Sequence, residues 1–337
     1  MSQSISRRHF LGTTAAVTAG VFAATQTSFP IASAQTAGST EKYKTRLYKA
    51  LIAGAPTDEI CEKWKNAGFT GMEVTGWNNI SVADARKNRQ IAEKHDFYVH
   101  SVMRGWAEFN HKDESVAQKT IDETNHAIRI AAAYGAGAIL LVPCRIGGMK
   151  MPEAWDFEID FDPKTLMVKT VAAGDNSQYA EYIQAQNDST VATIQAMEQL
   201  IPVAAEEGVM IALENVWNNL WSSPELAAAL VNYFDNPWVK AYFDLGNHTK
   251  YSKPQLWIEA FGRTLVKLHI KGYKVTEFLG KRGGGKGDWC PTDQSSTDWK
   301  EVRALLDKVN YNGWITVEEG NYSPEKYNEI LDDFIAG

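Results

Sequence analysis

The sequence is poor in the residues that several common chemistries require. Its three cysteines, Cys61, Cys144 and Cys290, are an odd number without zinc-type spacing. Nothing in that pattern demands a disulfide or a thiolate zinc cluster; an oxidising compartment would permit one disulfide, but free structural thiols are the expectation. Histidine is scarce too, with seven in 337 residues, one of them (His9) close to the amino terminus. This is too few for the multi-metal, histidine-rich centres that cleave phosphodiesters. Lys and Arg number 34 against 41 Asp and Glu, a net charge of −7 with no basic patch. Nothing in such a chain gives nucleic acid an electrostatic footprint. No G-x-G-x-x-G follows the first predicted strand, so a dinucleotide-binding fold is set aside. The apolar run from Phe10 to Ala24 is too short, and too rich in Ala, Thr and Gly, for a stable membrane span.

What the chain does have is apolar bulk, 44% of its residues against 22% charged, enough for a large core. Its amino terminus stands apart. Ser6-Arg-Arg-His-Phe-Leu11 resembles the twin-arginine export motif, and Ala32-Ser-Ala34 offers a small-residue cleavage site. Residues 1–34 are read as a signal peptide, 35–44 as a polar linker and 45–337 as a single folded domain. Twin-arginine signals carry folded proteins across the membrane. The expectation is therefore a periplasmic or secreted protein that takes up its cofactor before export. Arg7→Lys with Arg8→Lys should stop export, read as uncleaved precursor retained in the cytoplasm.

From residue 45 a rhythm sets in. Predicted strands at 45–52, 70–75, 97–102, 137–143, 209–214, 239–244, 265–270 and 314–318 alternate with predicted helices. The fourth, Gly137-Ala-Ile-Leu-Leu-Val-Pro143, is almost wholly apolar, as strands covered on both faces are. Segment 145–177 interrupts the rhythm as a long insertion, and 272–295 reads as a Gly-rich loop. Eight strand–helix cycles are the number that closes a (β/α)8 TIM barrel, an α/β fold of typically about 250 residues. A doubly wound open sheet is the alternative.

Four consecutive strands end in side chains able to hold a metal: Glu214, Asp244, His269 and Glu318. In a barrel these are strands five to eight, so their carboxyl ends form one arc on the face where such folds place their chemistry. Any one of these acids alone would be read as a helix cap or ion-pair partner; four in register point to a metal. Three carboxylates and an imidazole suit a divalent ion of moderate hardness, Mn²⁺ first, with Mg²⁺, Co²⁺ or Zn²⁺ as alternatives.

Glu214-Asn-Val-Trp217, Phe243-Asp-Leu-Gly246, Leu268-His-Ile-Lys271 and Gly313-Trp-Ile-Thr-Val-Glu318 carry a resemblance. The chain resembles the sugar phosphate isomerase/epimerase group of xylose isomerase-like TIM barrels over essentially all of its predicted domain. The resemblance implies that Glu214, Asp244, His269 and Glu318 are the metal ligands, with Glu319 the adjacent alternative for the fourth. It further implies that Glu214 and Glu318 flank a keto-sugar. One removes a proton beside the carbonyl and the other returns a proton from the opposite face, through a metal-stabilised enediolate. Where that pattern has Asp-x-Gly-His this chain has Asp244-Leu-Gly-Asn247 with His248 next, and His-x-Lys-Asp becomes His269-Ile-Lys-Gly272. The metal chemistry is kept; the substrate is open.

The expected substrate contacts are Glu73, His100, Arg104, Asn215, Trp217, Asn247, His248 and Lys271, with Arg145 weaker. Loop 280–287 is read as a lid whose Lys281, Arg282 and Lys286 could meet an anion. The expected partner is a small sugar, without nucleic acid, and homo-oligomerisation is left open. Two other functions compete: a 3-keto-glycoside lyase using the same metal site, and a non-catalytic sugar-binding protein.

Overall fold

The computed structural model describes residues 42–337, so the expected signal peptide and most of the linker lie outside the described residues. Eight parallel strands close on themselves: β1 (Leu47–Ala53), β2 (Gly71–Val74), β3 (Tyr98–Trp106), β4 (Ala138–Val142), β5 (Met210–Leu213), β6 (Val239–Asp244), β7 (Leu265–Ile270) and β8 (Gly313–Val317). β8 pairs with β1 in parallel through Leu47–Gly313 to Leu51–Val317, which shuts the barrel. The expected TIM barrel is the observed fold.

The crossover helices are α1 (Asp58–Asn66), α2 (Val82–Lys94), α3 (Glu114–Tyr134), α4 (Ala180–Glu207), α5 (Pro224–Tyr233), α6 (Pro254–Phe261), α7 (Trp299–Lys308) and α8 (Pro324–Ala336). Side-chain caps start many of them. Thr57, Ser81, Asp113, Ser223, Asp298 and Ser323 each accept a backbone N–H from the first turn. Gly135 and Gly208 end α3 and α4 in the left-handed conformation that favours glycine.

Two cores result. On β4, Ile139 and Leu141 pack outward with the helices, whereas Ala138, Leu140 and Val142 pack inward with Ala212 and Tyr242. Toward β7, β8 and β1–β3 the interior becomes polar. The buried Glu73, His100, Lys267, His269 and Thr316 lie there. A barrel filled with hydrogen-bonded charge on one side is built to position groups, because aliphatic packing would be the more stable filling.

Three local expectations are corrected. β3 runs to Trp106 rather than stopping at 102, with register shifts where it pairs with β2 and β4. A five-residue helix, Leu245–Thr249, follows β6 directly; its brevity hid it from a periodicity reading. Segment 272–295 is largely an antiparallel hairpin, Gly272–Phe278 paired with Gly285–Cys290. Its glycines suggest a loop, but here they permit pairing. A Cβ on Gly285 or Gly287 would run into the carbonyl oxygen of Glu277 or Lys274 on the facing strand. The insertion 145–177 likewise holds a small hairpin, Asp160–Phe161 with Val168–Thr170. Among the described residues no helix is long and apolar enough to cross a membrane.

Candidate metal centre and active site

The centre is assembled by strand ends. Asp244 is the last residue of β6, and His269 is next to last in β7. Glu214 and Glu318 directly follow β5 and β8, and both keep a ladder bond, Glu214 N to Leu141 O and Glu318 N to Ile270 O, each 3.0 Å. Backbone pairing therefore fixes where each side chain leaves the barrel.

Asp244, His269 and Glu318 converge, each with a ligand atom within 4.8 Å of the others. His269 Nε2 lies 2.6 Å from Glu73 Oε2. With that N–H donated, the other ring nitrogen, Nδ1, faces Glu318 Oε2 at 3.3 Å and Asp244 Oδ2 at 4.0 Å. Glu73 thus orients the ligand rather than facing solvent, a common arrangement behind metal-bound histidines. Asp244 serves twice. Its Oδ1 accepts Asn247 N at 2.7 Å and caps the short helix, while its buried Oδ2 makes no hydrogen bond. His269 Nδ1 is also buried without one. The orphaned Asp244 oxygen and His269 nitrogen, together with the Glu318 carboxylate, make an O, N, O set that fits a divalent cation.

Electrostatics agree. Burial, then the charges of Asp244 and Glu318, push the Glu214 carboxyl up to about 8. Burial and Glu318 raise Asp244 to about 7 against the pull of Lys271. Burial opposes ionisation of Glu318 as well, but His269, Asp244 and Lys271 outweigh it and hold that carboxyl well below the usual range. For His269 burial is overcome by Glu73 and Glu318, so its pKa stands well above that of a free imidazole. Crowded carboxylates that raise one another's pKa, gathering an imidazolium and the Lys271 ammonium, have a use for positive charge. Lys271 Nζ is 3.0 Å from Glu318 Oε2 and 3.7 Å from Asp244 Oδ2. The adjacent turn can come this close because residue 246 is glycine: a Cβ there would lie 2.8 Å from Lys271 O.

Residues 61–334 match the xylose isomerase-like TIM barrel family. The chain belongs to that family. A curated relative is the L-ribulose-5-phosphate 3-epimerase UlaE of Salmonella paratyphi C, 25% identical over 142 residues, 42% of this chain and 47% of that protein. The chain thus spans about half the length of the curated relatives it matches. Among solved structures, a D-tagatose 3-epimerase-like protein aligns with TM-score 0.64 at 15% identity, covering 86% of this chain and 97% of its own. A xylose isomerase-like TIM barrel protein of Mycobacterium smegmatis, in complex with magnesium, aligns with TM-score 0.57 at 14% identity, covering 87% and 96%. This chain is thus a xylose isomerase-like TIM barrel with an Asp244–His269–Glu318 cluster able to hold a metal ion.

Within this xylose isomerase-like barrel the remaining expected residues fall into different places. Glu214 stands beside the three-residue cluster, its Oε1 accepting Asn247 Nδ2 at 2.9 Å. Asn247 thereby holds Glu214, where a substrate contact was expected. Glu319 turns away; its oxygens accept Gly272 N and Thr292 N at 3.1 and 3.0 Å and clamp the base of the 272–290 hairpin. Of the two neighbouring glutamates, Glu318 is the one that joins the cluster.

Asn215 and His248 are committed to each other and to backbone. Asn215 Oδ1 lies 2.6 Å from His248 Nε2, Asn215 Nδ2 donates to Trp221 O, and His248 Nδ1 lies 2.7 Å from Asp244 O. Both were expected at the substrate; here they brace the loop after β5. That loop has Asn219 and Trp221 at positive φ, a strained backbone for such residues. Gln186 accepts Trp221 N and Ile146 O accepts the Asn219 amide, which holds the strain in place.

Arg104 is buried toward α3. It donates to Thr124 Oγ1 and to the carbonyls of Thr120 and Trp106. His100 has both ring nitrogens partnered, by Lys267 Nζ and Thr316 Oγ1, and stacks on Trp314. Burial and the charges of Lys267 and His269 keep it neutral. Of the lid cations, Lys281 pairs with Glu158 and Arg282 with Glu225.

Lys267 was missed in the sequence, although Lys267 and His269 sit two apart on β7 and so share a face. Trp289 and Tyr273, discussed below, were hidden by the loop reading.

Proposed function

We propose that the protein is a divalent-metal-dependent epimerase or isomerase of a small keto-sugar. The observation that carries this reading is the Asp244–His269–Glu318 cluster with Glu214 beside it at the carboxyl end of the barrel. Asp244, His269 and Glu318 would hold the ion, Mn²⁺ first on account of its carboxylate-rich set, and Glu73 would hold His269. When bound, the ion supplies Lewis acidity that makes the hydrogen beside the substrate carbonyl more acidic.

The rest falls to the chain's own residues. Glu318, ionised, takes the proton from the carbon beside the carbonyl. Glu214, which burial keeps protonated near neutral pH, returns one from the other side, and the roles reverse in the other direction. Lys271, whose ammonium faces Glu318 and Asp244, steadies charge on the substrate oxygens. Asn247 fixes the Glu214 carboxyl that carries the returning proton.

The test is incubation of the Mn²⁺-supplemented protein in deuterated water with a panel of free ketoses, D-tagatose, D-fructose and D-psicose among them, and with keto-glycosides. Deuterium is expected beside the carbonyl of at least one, followed by the epimer or isomer. Aglycone release without an epimer would move the assignment to a lyase; unchanged sugar throughout would leave only a binding protein.

A further inference from the structure

The hairpin after β7 brings to the barrel mouth an aromatic surface that the proposed chemistry does not use. Tyr273 and Trp289 face each other across its two strands. Trp289 stacks on Trp217 from the loop after β5, with centroids 5.0 Å apart and planes 27° apart. Tyr273 packs edge-on against both rings and anchors its hydroxyl on Gly287 O. Three rings are thus locked together, and Lys250 Nζ sits 3.6 Å from the Trp217 centroid. Trp289 is nevertheless 45% exposed. A large indole held rigid while half in water costs little ordering when a ligand covers it.

Its position relative to the reacting groups decides what that ligand is. On one side Lys271 Nζ lies 5.0 Å from the Trp289 centroid and 3.0 Å from Glu318 Oε2. On the other, the Trp217 indole N–H donates to Asn247 O at 2.7 Å, and Asn247 Nδ2 donates to Glu214. The platform is therefore tied to both proposed proton-transfer glutamates, with Lys271 beside both Trp289 and Glu318.

We propose that Trp289, backed by Trp217 and Tyr273, is a subsite for a second ring, so that the substrate is a glycoside whose keto-sugar ring lies at the metal centre. The ring that stacks is a sugar or an aryl group presenting an apolar face. This rests on the proposed function for the place of the first ring.

The test uses non-reacting probes: phenyl and methyl D-glucopyranosides, both anomers, titrated calorimetrically into the full chain with Mn²⁺ present. The phenyl glycoside should bind about tenfold more tightly than the methyl glycoside. Trp289→Ala should remove that gap and leave methyl glycoside affinity unchanged, Trp289→Phe should retain most of it, and Phe278→Ser at the hairpin tip should not alter it. Equal affinities, no binding of either probe, or a gap that survives Trp289→Ala would overturn the subsite. A parallel Mn²⁺ titration separates the two ideas. Metal binding without a two-ring preference sinks the subsite alone, and a preference without metal binding sinks the metal reading alone.

Discussion

Stripping the protein of divalent ions with a chelator is expected to lower turnover by about 10³-fold, and adding Mn²⁺ back should restore it. The size follows from the several kcal/mol that a Lewis acid contributes to charge developing beside a carbonyl, at about 1.4 kcal/mol per tenfold. Binding should also stabilise the fold, by about 2.7 kcal/mol at an ion concentration 100 times Kd, because the unfolded chain does not assemble the site. Burial first, and then repulsion from neighbouring carboxylates, raises Glu214 and Asp244, and the same ion would relieve that repulsion. Glu73→Gln keeps the size of the side chain that meets His269 but removes its charge, and should weaken Mn²⁺ affinity about 10–100-fold. Full activity in chelator, with metal analysis confirming removal, would end the metal reading.

The second large effect concerns the two glutamates. Glu214→Gln and Glu318→Gln should each lower net epimerisation by about 10²–10⁴-fold, the usual contribution of a positioned acid or base. Deuterium exchange should separate them. A two-sided mechanism deprotonates each epimer with a different carboxylate, so each variant should lose wash-in from one epimer and retain it from the other. Because Glu318 also belongs to the ligand cluster, its variant is compared at saturating Mn²⁺ with binding measured. Loss of exchange from both epimers in one variant and from neither in the other would mean that one carboxylate does all the proton transfer. Full turnover of Glu318→Gln with metal bound would remove Glu318 from the chemistry.

Much of this was legible along the chain. Alternating apolar strands and capped helices dictate a closed barrel, because eight such units bury both faces of the sheet at once. The strand-end positions of Asp244, His269 and Glu318 follow from register alone, since backbone pairing carries each to the same rim. What a linear reading could not supply is which way a side chain turns after its strand ends. Glu318 and Glu319 are adjacent, yet one joins the cluster and the other accepts from Gly272 N and Thr292 N. Asn215, Asn247, His248 and Arg104 look available in sequence. Only packing shows them committed to Trp221, Glu214, Asp244 and Thr124. Buried polar atoms must find partners, and those partners lie up to hundreds of residues away, as with His269 and Glu73, 196 positions apart. The sequence by itself therefore determined the barrel and the residue types at its rim. Tertiary structure decided which of them converge, since convergence depends on long-range contacts that no local pattern encodes.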